Sequence, residues 1–384
     1  MMNFKSYRFD EITINFDKKR IPLSAAQRKK RHGIYRYYGA QGVIDYIDDY
    51  IFDGTFLLIA EDGENLKSQK QNIAQIATGK FWVNNHAHIV QGTELCDTRF
   101  LCYLLNSMDL SGYVTGSAQP KLSQKSLNAV MLSIPDISIQ RKIVDYLYTL
   151  DKKIKNNIDI NENLQQQAAA IFKAWFVDYI PFNGDAPKEW KNVILEDITI
   201  LISRGIAPKY SDNSNQIVIN QKCIRHHMID LSLARTHKPK KINEKWLRFG
   251  DLLINSTGTG TLGRTAQVWF QPQNLTVDSH ITIVRPANEN LIFYIGLWGI
   301  EHEKEIESLH TGSTGQTELP RDRVKAMKLA CPDIETLDRF NAIIAPMAAT
   351  IVSNQEENQR LSSLRDVLLP KLMSGEIDVV DIPF

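Results

Sequence analysis

Residues 137–176 read ISIQRKIVDYLYTLDKKIKNNIDINENLQQQAAAIFKAWF, a stretch without glycine or proline. Residues 334–373 read IETLDRFNAIIAPMAATIVSNQEENQRLSSLRDVLLPKLM and align with the first stretch without a gap. Apolar side chains recur at spacings of three and four, which is typical of helices that pack along a seam. These seam residues are Leu147, Leu150, Ile154, Leu164, Ala168, Ile171 and Trp175, then Ile344, Met347, Ile351, Leu361, Leu368 and Leu372. We predict two long helices, each about 60 Å long at roughly 1.5 Å per residue. Pro346 lacks a backbone donor, so we expect it to kink or delay the second helix.

Polar side chains interrupt the middle of each apolar seam. Asn157 and Asn161 occupy seam positions in the first stretch, and Asn354 and Asn358 occupy the equivalent positions in the second. A buried asparagine weakens a coiled coil but opposes wrong registers, because a slipped pairing leaves its amide unsatisfied. We predict that the helices pack antiparallel with these asparagines near the centre, where they fix the register. The alternative is that the helices are solvated there and the asparagines are surface residues.

An internal repeat covers most of the chain, and the long helices belong to it. Residues 115–136 and 311–333 each begin with Thr-Gly-Ser, continue through a glutamine and a polar turn, and end in an apolar strand with Pro-Asp. Further upstream, residues 56–59 match residues 251–254. No single match is strong, but the matches keep one order along the chain, which indicates duplication of a whole domain with its helix.

Short β-rich runs alternate with turn signals ahead of each long helix, and one helical segment lies among them in each copy. We therefore predict an α+β fold with two mixed α/β domains in tandem repeat. A long helix follows each domain, and the two helices form an antiparallel coiled coil. The predicted boundaries are 1–136 for the first domain, 137–180 for the central helix, 181–333 for the second domain, and 334–384 for the C-terminal helix and tail.

The composition is that of a soluble globular protein, with 43% hydrophobic and 23% charged residues. The chain begins without an apolar leader, and no run approaches eighteen uncharged apolar residues, so we expect a cytoplasmic protein that does not enter a membrane. The four cysteines are scattered, which favours reduced thiols over a disulfide framework.

A net charge of +1 conceals two basic blocks. Residues 1–36 hold ten Lys and Arg against three Asp and Glu, and residues 204–248 hold the same numbers. Two similar blocks in two copies of a repeat suit two separate contacts with a polyanion such as DNA. Solvated protein surfaces would produce the same charge pattern.

Two stretches match known motifs by spacing but not by context. Gly258, Gly260 and Gly263 form GxGxxG, yet a strand-like sequence follows where dinucleotide binding requires a helix. Asp136 and Asp151 imitate a nuclease signature, but that chemistry needs carboxylates on adjacent strands, and Asp151 falls on the predicted long helix. We predict a turn at the glycines and no nuclease site.

Histidine and cysteine pairs do not build a metal site at the sequence level. Cys223 with His226 and His227, or His86 with His88, falls short of four ligands at the spacing of a closed site. We find no P-loop, nucleophile elbow or methyltransferase motif. We therefore predict no metal site and no catalytic residue, and histidines that bond within the fold or contact DNA.

Two sequence signatures lie at the ends of the long helices. Residues 171–178 read IFKAWFVD, and residues 364–377 read LRDVLLPKLMSGEI. Together with the repeat, they resemble the specificity subunit of type I restriction–modification systems. The resemblance covers essentially the whole chain, and the C-terminal signature is its most specific part.

The resemblance implies a division of labour between chains. Each globular part is a target recognition domain that reads one half of a split, asymmetric site in double-stranded DNA. The helices set the spacer between the half-sites and dock two methylation subunits, which use S-adenosylmethionine. Restriction subunits add translocation and cleavage that depend on ATP and Mg²⁺. This chain itself binds no cofactor and is not an enzyme alone.

DNA contacts require Arg, Lys, Asn, Gln or Thr presented on loops, with basic residues mostly meeting phosphates. The candidates in the first domain are Arg36, Gln41, Lys80, Asn84, Asn85, Gln119 and Lys121. Those in the second domain are Lys222, Arg225, Thr257, Thr259, Arg264, Gln316, Arg321 and Arg323. Because the basic segments of the two domains differ, the half-sites are expected to differ in sequence.

Three other functions remain open at this point. The chain could serve a related system in which methylase and nuclease are fused. It could be a self-contained DNA-modifying enzyme, or a coiled-coil scaffold without a DNA role.

Overall fold

The computed structural model describes residues 3–68, 71–116, 119–312 and 317–379. Packing divides the chain into two units: unit 1 consists of Met1–Lys155 with Asn358–Phe384, and unit 2 of Asn156–Glu357. Each unit thus combines one α/β segment with part of each long helix. The predicted four segments follow sequence order and stay a prediction. In the described ranges, no helix combines the length and the apolar character needed to cross a membrane.

The elements of the described ranges are as follows. The α-helices are α1 Ala25–Arg28, α2 Asn65–Ser68, α3 Thr98–Ser107, α4 Gln124–Asn128, α5 Ile137–Phe176, α6 Ile292–Glu301, α7 Glu303–Ser308, α8 Arg321–Lys325 and α9 Ile334–Ser374. The β-strands are β1 Phe4–Arg8, β2 Thr13–Asn15, β3 His32–Gly39, β4 Gly42–Ile47, β5 Phe52–Ala60, β6 Ala74–Val83, β7 Ala87–Gly92, β8 Met131–Pro135, β9 Lys191–Ile194, β10 Thr199–Arg204, β11 Ile217–Ile219, β12 Ile224–Arg225, β13 Met228–Ile229, β14 Arg235–Thr236, β15 Leu252–Asn255, β16 Thr265–Gln267, β17 Leu275–Val277, β18 Ile281–Pro286 and β19 Lys328–Cys331.

Unit 1 is built on a six-stranded sheet in the order β2-β7-β5-β6-β3-β4, and β1 pairs with β8 separately. The central strand β5 is apolar along most of its second half because both of its faces are covered. Helix α3 packs on the sheet and begins at Asp97, whose carboxylate accepts from the amides of Arg99 and Phe100. Its Phe100 and Leu104 enter the core, as expected for an amphipathic helix.

Unit 2 contains a four-stranded antiparallel sheet in the order β10-β18-β15-β16 and a three-stranded sheet in the order β14-β11-β17. Helix α6 is buried from Phe293 to Gly299 and contributes to the core, which explains its nearly continuous apolar sequence. At the end of the four-stranded sheet, Arg285 donates two 2.7 Å bonds to Asp251, and both side chains are buried. The same guanidinium donates to the backbone carbonyls of Glu244 and Trp246, so each of its nitrogens donates a hydrogen bond.

The sheet orders of the two units coincide over four strands. β2-β7-β5-β6 in unit 1 corresponds to β10-β18-β15-β16 in unit 2, and the pair β1–β8 corresponds to β9–β19. The strand registers agree as well, since Leu58 pairs with Ile89 where Leu253 pairs with Ile283. The predicted α+β fold and tandem repeat are confirmed.

The two long helices run antiparallel in each unit. In unit 2, the side-chain oxygen Oδ1 of Asn161 accepts from the side-chain Nδ2 of Asn354 at 2.8 Å, and Nδ2 of Asn161 donates to the backbone oxygen of Ile351. Asn157 donates to the Glu357 carboxylate at 2.6 Å. As the residue number rises from Asn157 to Asn161 along α5, the number of the partner on α9 falls from Glu357 to Asn354, as antiparallel helices require. Asn157 and Asn161 are 1% and 3% exposed, so they lie in the seam, and their role in fixing register stays a prediction.

In unit 1, the contact between the two antiparallel helices includes an ion pair. Arg365 of α9 donates to Asp151 of α5 at 2.8 Å, and the Tyr103 hydroxyl of α3 donates to the other oxygen of Asp151 at 2.5 Å. Asp151 of α5 therefore connects α3 of the α/β segment to α9, and it lies on a helix and not on a strand as a nuclease site would require. Asn358 is partly buried in the same stretch of α9.

Helix α9 begins where the sequence repeat places it. The Asp333 carboxylate accepts from the Thr336 amide and hydroxyl, so the Pro-Asp signature caps the helix in this copy. The expected delay of the second helix at Pro346 is wrong, because α9 is continuous from Ile334 to Ser374, and the expected kink stays a prediction. Ile344 and Ala348 on either side of the proline are buried, and this packing offsets the missing backbone hydrogen bond.

The first prediction concerns the asparagine pair of the helix seam. Asn161→Leu should destabilise the chain by about 1–3 kcal/mol, because Asn354 loses its acceptor in a partly buried position. The double variant Asn161→Leu with Asn354→Leu should recover part of this loss, and a double-mutant cycle in urea measures the coupling. Asn156→Leu, at an exposed position of the same helix, is the control. A coupling indistinguishable from zero would contradict the predicted role.

The second prediction concerns the buried ion pair of unit 2. Asp251→Ala should lower the free energy of unfolding by about 3–5 kcal/mol, since it leaves the buried Arg285 charge uncompensated. Glu196→Ala removes the partner of Lys325 in an ion pair whose carboxylate is 53% exposed. This control should cost at most about 1 kcal/mol. Equal losses in chemical denaturation would show that burial of the Arg285 pair is unimportant.

Candidate nucleic-acid interface

Three of the residues predicted to contact DNA line one cleft of unit 2. The cleft has a volume of about 600 Å³, and we call it the arginine cleft. Arg225 comes from the β12–β13 hairpin, while Thr259 and Arg264 come from the loop between β15 and β16. The cleft also contains His226, His227 and Glu303, which the sequence did not identify as a group.

The β12–β13 hairpin presents its turn to this cleft. Arg225 pairs with Met228, so His226 and His227 form a two-residue turn, and their φ angles are 50° and 58°. Positive φ at both central positions defines a type I′ turn, which normally favours Asn-Gly. Two histidines therefore hold a backbone conformation that costs free energy for residues with a side chain.

Glu303 at the start of α7 connects the hairpin turn to the sheet. Its carboxylate accepts from the Thr265 amide at 2.9 Å and lies 3.4 Å from Nδ1 of His227. The hydrogen bond with Glu303 raises the pKa of His227 above its ordinary value, against the effect of burial. Burial raises the pKa of Glu303, but the bonds from His227 and Thr265 outweigh it and leave the pKa lowered. The pair therefore favours a charged imidazolium at the turn.

The glycines between β15 and β16 serve the turn and not a dinucleotide. Gly258, Gly260 and Gly263 have φ angles of 102°, 73° and 85°, and a Cβ on Gly263 would lie 2.7 Å from the Cβ of Glu307. The strand β16 follows directly, as predicted. The loop thus brings Arg264 to the cleft that Glu303 also lines, where two guanidinium groups and one carboxylate suit a phosphate or a guanine edge.

A second basic group in unit 2 contains Arg321. It lines a cavity of about 370 Å³ together with Arg204 and Lys245, which were not predicted as site residues, and with the acidic residues Glu318 and Asp322. Arg323 instead donates to the backbone oxygen of Leu309 at 3.0 Å.

The remaining candidates of unit 2 differ in their surroundings. Thr257 bonds Gln221 and His280, whereas Lys222 is exposed. Gln316 lies outside the described residues.

The candidates of unit 1 are distributed over several places. Arg36 is exposed on β3, and the Lys80 ammonium lies 4.6 Å from the ring centre of Tyr50. Gln41 donates to Asn65. Here the structure gathers no group comparable to the arginine cleft within the described residues.

Asn84, Asn85, Gln119 and Lys121 are the other candidates of unit 1. Asn84 is 9% exposed, and its side chain accepts from the His86 amide, so it stabilises a turn. Asn85 and Gln119 are exposed. Lys121 lies 3.2 Å from Glu61 and is exposed along much of its side chain.

A signal for the missed histidines exists in the sequence. Arg225, His226 and His227 separate the short apolar pairs 223–224 and 228–229, which is the pattern of a tight hairpin once turn residues other than Asn-Gly are allowed. Glu303, Arg204 and Lys245 lack such a signal, because each reaches its neighbours through tertiary packing.

Comparison with known proteins agrees with this architecture. Residues 1–166 match the family described as type I restriction modification DNA specificity domain. A Haemophilus influenzae protein named as a type I restriction enzyme specificity subunit is 27% identical over 94% of each chain. A specificity subunit of a type I restriction enzyme from Methanocaldococcus jannaschii is 27% identical over 74% of this chain and 70% of that one.

The crystal structure of a type I restriction–modification S subunit from M. genitalium has the same fold. Its TM-score is 0.65 at 13% identity, and the match covers 97% of this chain and 96% of that one. The predicted resemblance is confirmed by relatives that extend over both copies of the repeat. The chain is thus similar to type I restriction–modification specificity subunits in sequence, and it shares the fold of one of them.

Proposed function

We propose that this chain is the DNA sequence-recognition subunit of a type I restriction–modification complex, and that each unit reads one half of a two-part site. The observation that carries this proposal is the shared four-strand order and register of the two units with different side chains at corresponding places. A repeated scaffold suits the two-fold symmetry of the DNA backbone, and unlike contact residues suit unlike half-sites.

Corresponding loop positions support the asymmetry of the site. Lys121 of unit 1 and Glu318 of unit 2 occupy the same bridge position, opposite Thr115 and Thr311 respectively. The two side chains carry opposite charges, so the same place cannot make the same contact with a base or a phosphate. The expected site is therefore not a palindrome.

The chemistry of modification and cleavage is assigned to partner chains. Two methylation subunits would supply S-adenosylmethionine, and restriction subunits would supply the reactions that require ATP and Mg²⁺. This chain would bind none of these cofactors and would act as a non-catalytic part of the complex. The uninterrupted helices α5 and α9, of 40 and 41 residues, are the elements that we propose set the spacer and dock the methylation subunits.

Methylome sequencing tests the function directly. A host that carries this chain with its methylation subunit should show one modified two-part sequence, which disappears when this chain is deleted. An unchanged methylome would contradict the proposal. Methylation or cleavage of DNA by the purified chain alone, with S-adenosylmethionine, ATP and Mg²⁺, would instead support a self-contained enzyme. The neighbouring genes distinguish a three-subunit system from a methylase–nuclease fusion.

The third prediction concerns the arginine cleft. Arg264→Ala should weaken binding to the modified sequence by about 1–3 kcal/mol and relax the preference at one base pair, if its guanidinium reads a base. Uniform weakening across DNA sequences, with a shallower salt dependence, would mark a phosphate contact. The control is Arg248→Ala, an exposed arginine before β15, at the opposite end of that strand from the cleft loop. Binding unaffected by Arg264→Ala in either respect would remove the cleft from the interface.

A further inference from the structure

Each unit contains one loop that is closed by the same backbone bonds. In unit 1, the amides of Thr115 and Lys121 donate to each other's carbonyls at 2.8 Å. In unit 2, Thr311 and Glu318 do the same at 2.8 and 2.9 Å. The Thr-Gly-Ser signature of the repeat begins in each of these loops, and we call their described residues, 115–116 with 119–121 in unit 1 and 311–312 with 317–318 in unit 2, the signature loops.

A buried leucine follows each signature loop and attaches it to the sheet. Leu122 and Leu319 are 0% exposed. The Leu122 amide donates to the carbonyl of Glu61 at 2.8 Å, and the Leu319 amide donates to the carbonyl of Ser256 at 2.8 Å. Since Glu61 and Ser256 follow β5 and β15 at the same interval, the two attachments correspond.

The carbonyl of each leucine is bonded by a basic side chain, but the side chain differs. In unit 1, Nε2 of His88 lies 2.8 Å from the Leu122 oxygen. In unit 2, the Arg204 guanidinium donates to the Leu319 oxygen at 2.9 Å. At the place that corresponds to His88, unit 2 has Thr282, whose hydroxyl bonds Ser256 at 2.6 Å.

The surroundings of His88 require a doubly protonated ring. The Leu122 carbonyl can only accept, so Nε2 must carry a proton. Nδ1 lies 2.6 Å from the Asp17 carboxylate, which also accepts when it is ionised. His88 is 1% exposed, so both bonds are shielded from water. The imidazolium is therefore held between a carboxylate and the anchor of the signature loop.

Charged groups reach His88 from each element that packs against it. Asp17 also accepts from the Ile89 amide at 2.8 Å, and Arg20 lies 3.4 Å from Asp17 and 2.9 Å from Glu61. Lys121 lies 3.2 Å from the other oxygen of Glu61. Around His88, the carboxylates of Asp17 and Glu61 pair with the cations Arg20 and Lys121, so a proton on His88 adds a third positive charge to this cluster.

We propose that His88 and Arg204 are positioning residues for the two signature loops, and that the loop of unit 1 is released by deprotonation of His88 while the loop of unit 2 is insensitive to pH. Insofar as the loops read DNA, this inference rests on the proposed function. Recognition of one half-site would then weaken at alkaline pH, and recognition of the other half-site would not.

The pKa directions give the sense of the pH dependence. Burial lowers the pKa of His88, but the Asp17 bond, the Leu122 carbonyl and the negative charges of Asp17 and Glu61 outweigh it, so the pKa is raised. Burial raises the pKa of Asp17, but its bonds to His88 and Ile89 leave that pKa lowered. A raised pKa in the folded chain means that the anchoring is complete at low pH and is lost as pH rises through the pKa of the closed state. The guanidinium of Arg204 stays charged throughout this range.

Hydrogen exchange of the full chain tests the anchor without DNA. Protection factors, corrected for the intrinsic rate at each pH, are measured for the Lys121–Leu122 and Glu318–Leu319 amides between pH 6 and pH 9. The unit 1 amides should lose protection by up to about tenfold per pH unit, between the pKa of the open state and that of the closed state. The unit 2 amides serve as the internal control and should not change. Parallel behaviour of the two loops, with or without a pH effect, would overturn the proposal.

Two variants sharpen the test. His88→Gln keeps one donor for the Leu122 oxygen but cannot titrate, so in this variant the protection of the Lys121 and Leu122 amides should become independent of pH. Arg204→His should confer a pH effect on the unit 2 loop. If His88→Gln does not fold, Asp17→Asn weakens the same imidazolium and should move the loss of protection to lower pH. A pH effect in unit 1 that persists unchanged in these variants would exclude His88 as its source.

Binding to the sequence found by methylome analysis separates the two proposals. At alkaline pH, base substitutions in one half-site should lose their effect on affinity, while substitutions in the other half-site keep it. If exchange shows the pH effect but both half-sites are read equally at every pH, the anchor holds a loop that does not read DNA, and the recognition part of the inference fails. If no DNA is bound at any pH, the proposed function fails while the exchange result still stands.

Discussion

The core of unit 1 depends on residues that are far apart in the chain. Leu372 and Met373 of α9 share a hydrophobic cluster with Leu147 of α5 and with Phe9 near the N-terminus. These side chains are almost completely buried, so removing the C-terminal part of α9 would expose apolar surface of the first recognition segment. In unit 2, Phe172 of α5 packs with Phe340 of α9 in the same way. Neither recognition segment therefore buries its apolar surface without both long helices.

The polar residues of the helix seam become intelligible within this constraint. A seam made only of leucine would gain burial at several registers, and the bond between Asn161 and Asn354 is the contact on which the predicted register role of these asparagines rests. Asn161 is nearly inaccessible, so a slipped register would leave its amide without a partner at a cost comparable to a lost hydrogen bond. In unit 1, the bond from Arg365 to Asp151 likewise connects the two long helices, and the Tyr103 hydroxyl donates to the same carboxylate.

Periodicity and repetition predicted the features that depend on local pattern. The apolar spacing predicted α5, which begins at the predicted residue Ile137 and ends at Phe176 inside the predicted segment 137–180. The match of residues 56–59 with 251–254 identified β5 and β15, which lie at equivalent places in the two sheets. The arginine cleft was not predictable, because Arg225 and Arg264 meet only through a hairpin and a glycine turn that are distant in sequence. The delay expected at Pro346 was wrong for the opposite reason: the local preference of proline is clear, but α9 continues through it, with Ile344 and Ala348 buried on either side.

Duplication explains why one backbone arrangement carries different chemistry in its two copies. The bonds that close the signature loops use only backbone groups, so they survive almost any change of side chain. The anchor of each loop uses a side chain, and here the copies diverge: His88 is supported by Asp17, whereas Arg204 is supported by Glu318 at 2.5 Å. An imidazolium needs its carboxylate to stay charged, but a guanidinium does not. The two corresponding carbonyls, of Leu122 and Leu319, are therefore held by a bond that depends on protonation in unit 1 and by a bond that does not in unit 2. This difference is possible because backbone bonds determine the conformation of the loop, and the side chain determines only how firmly the loop is held.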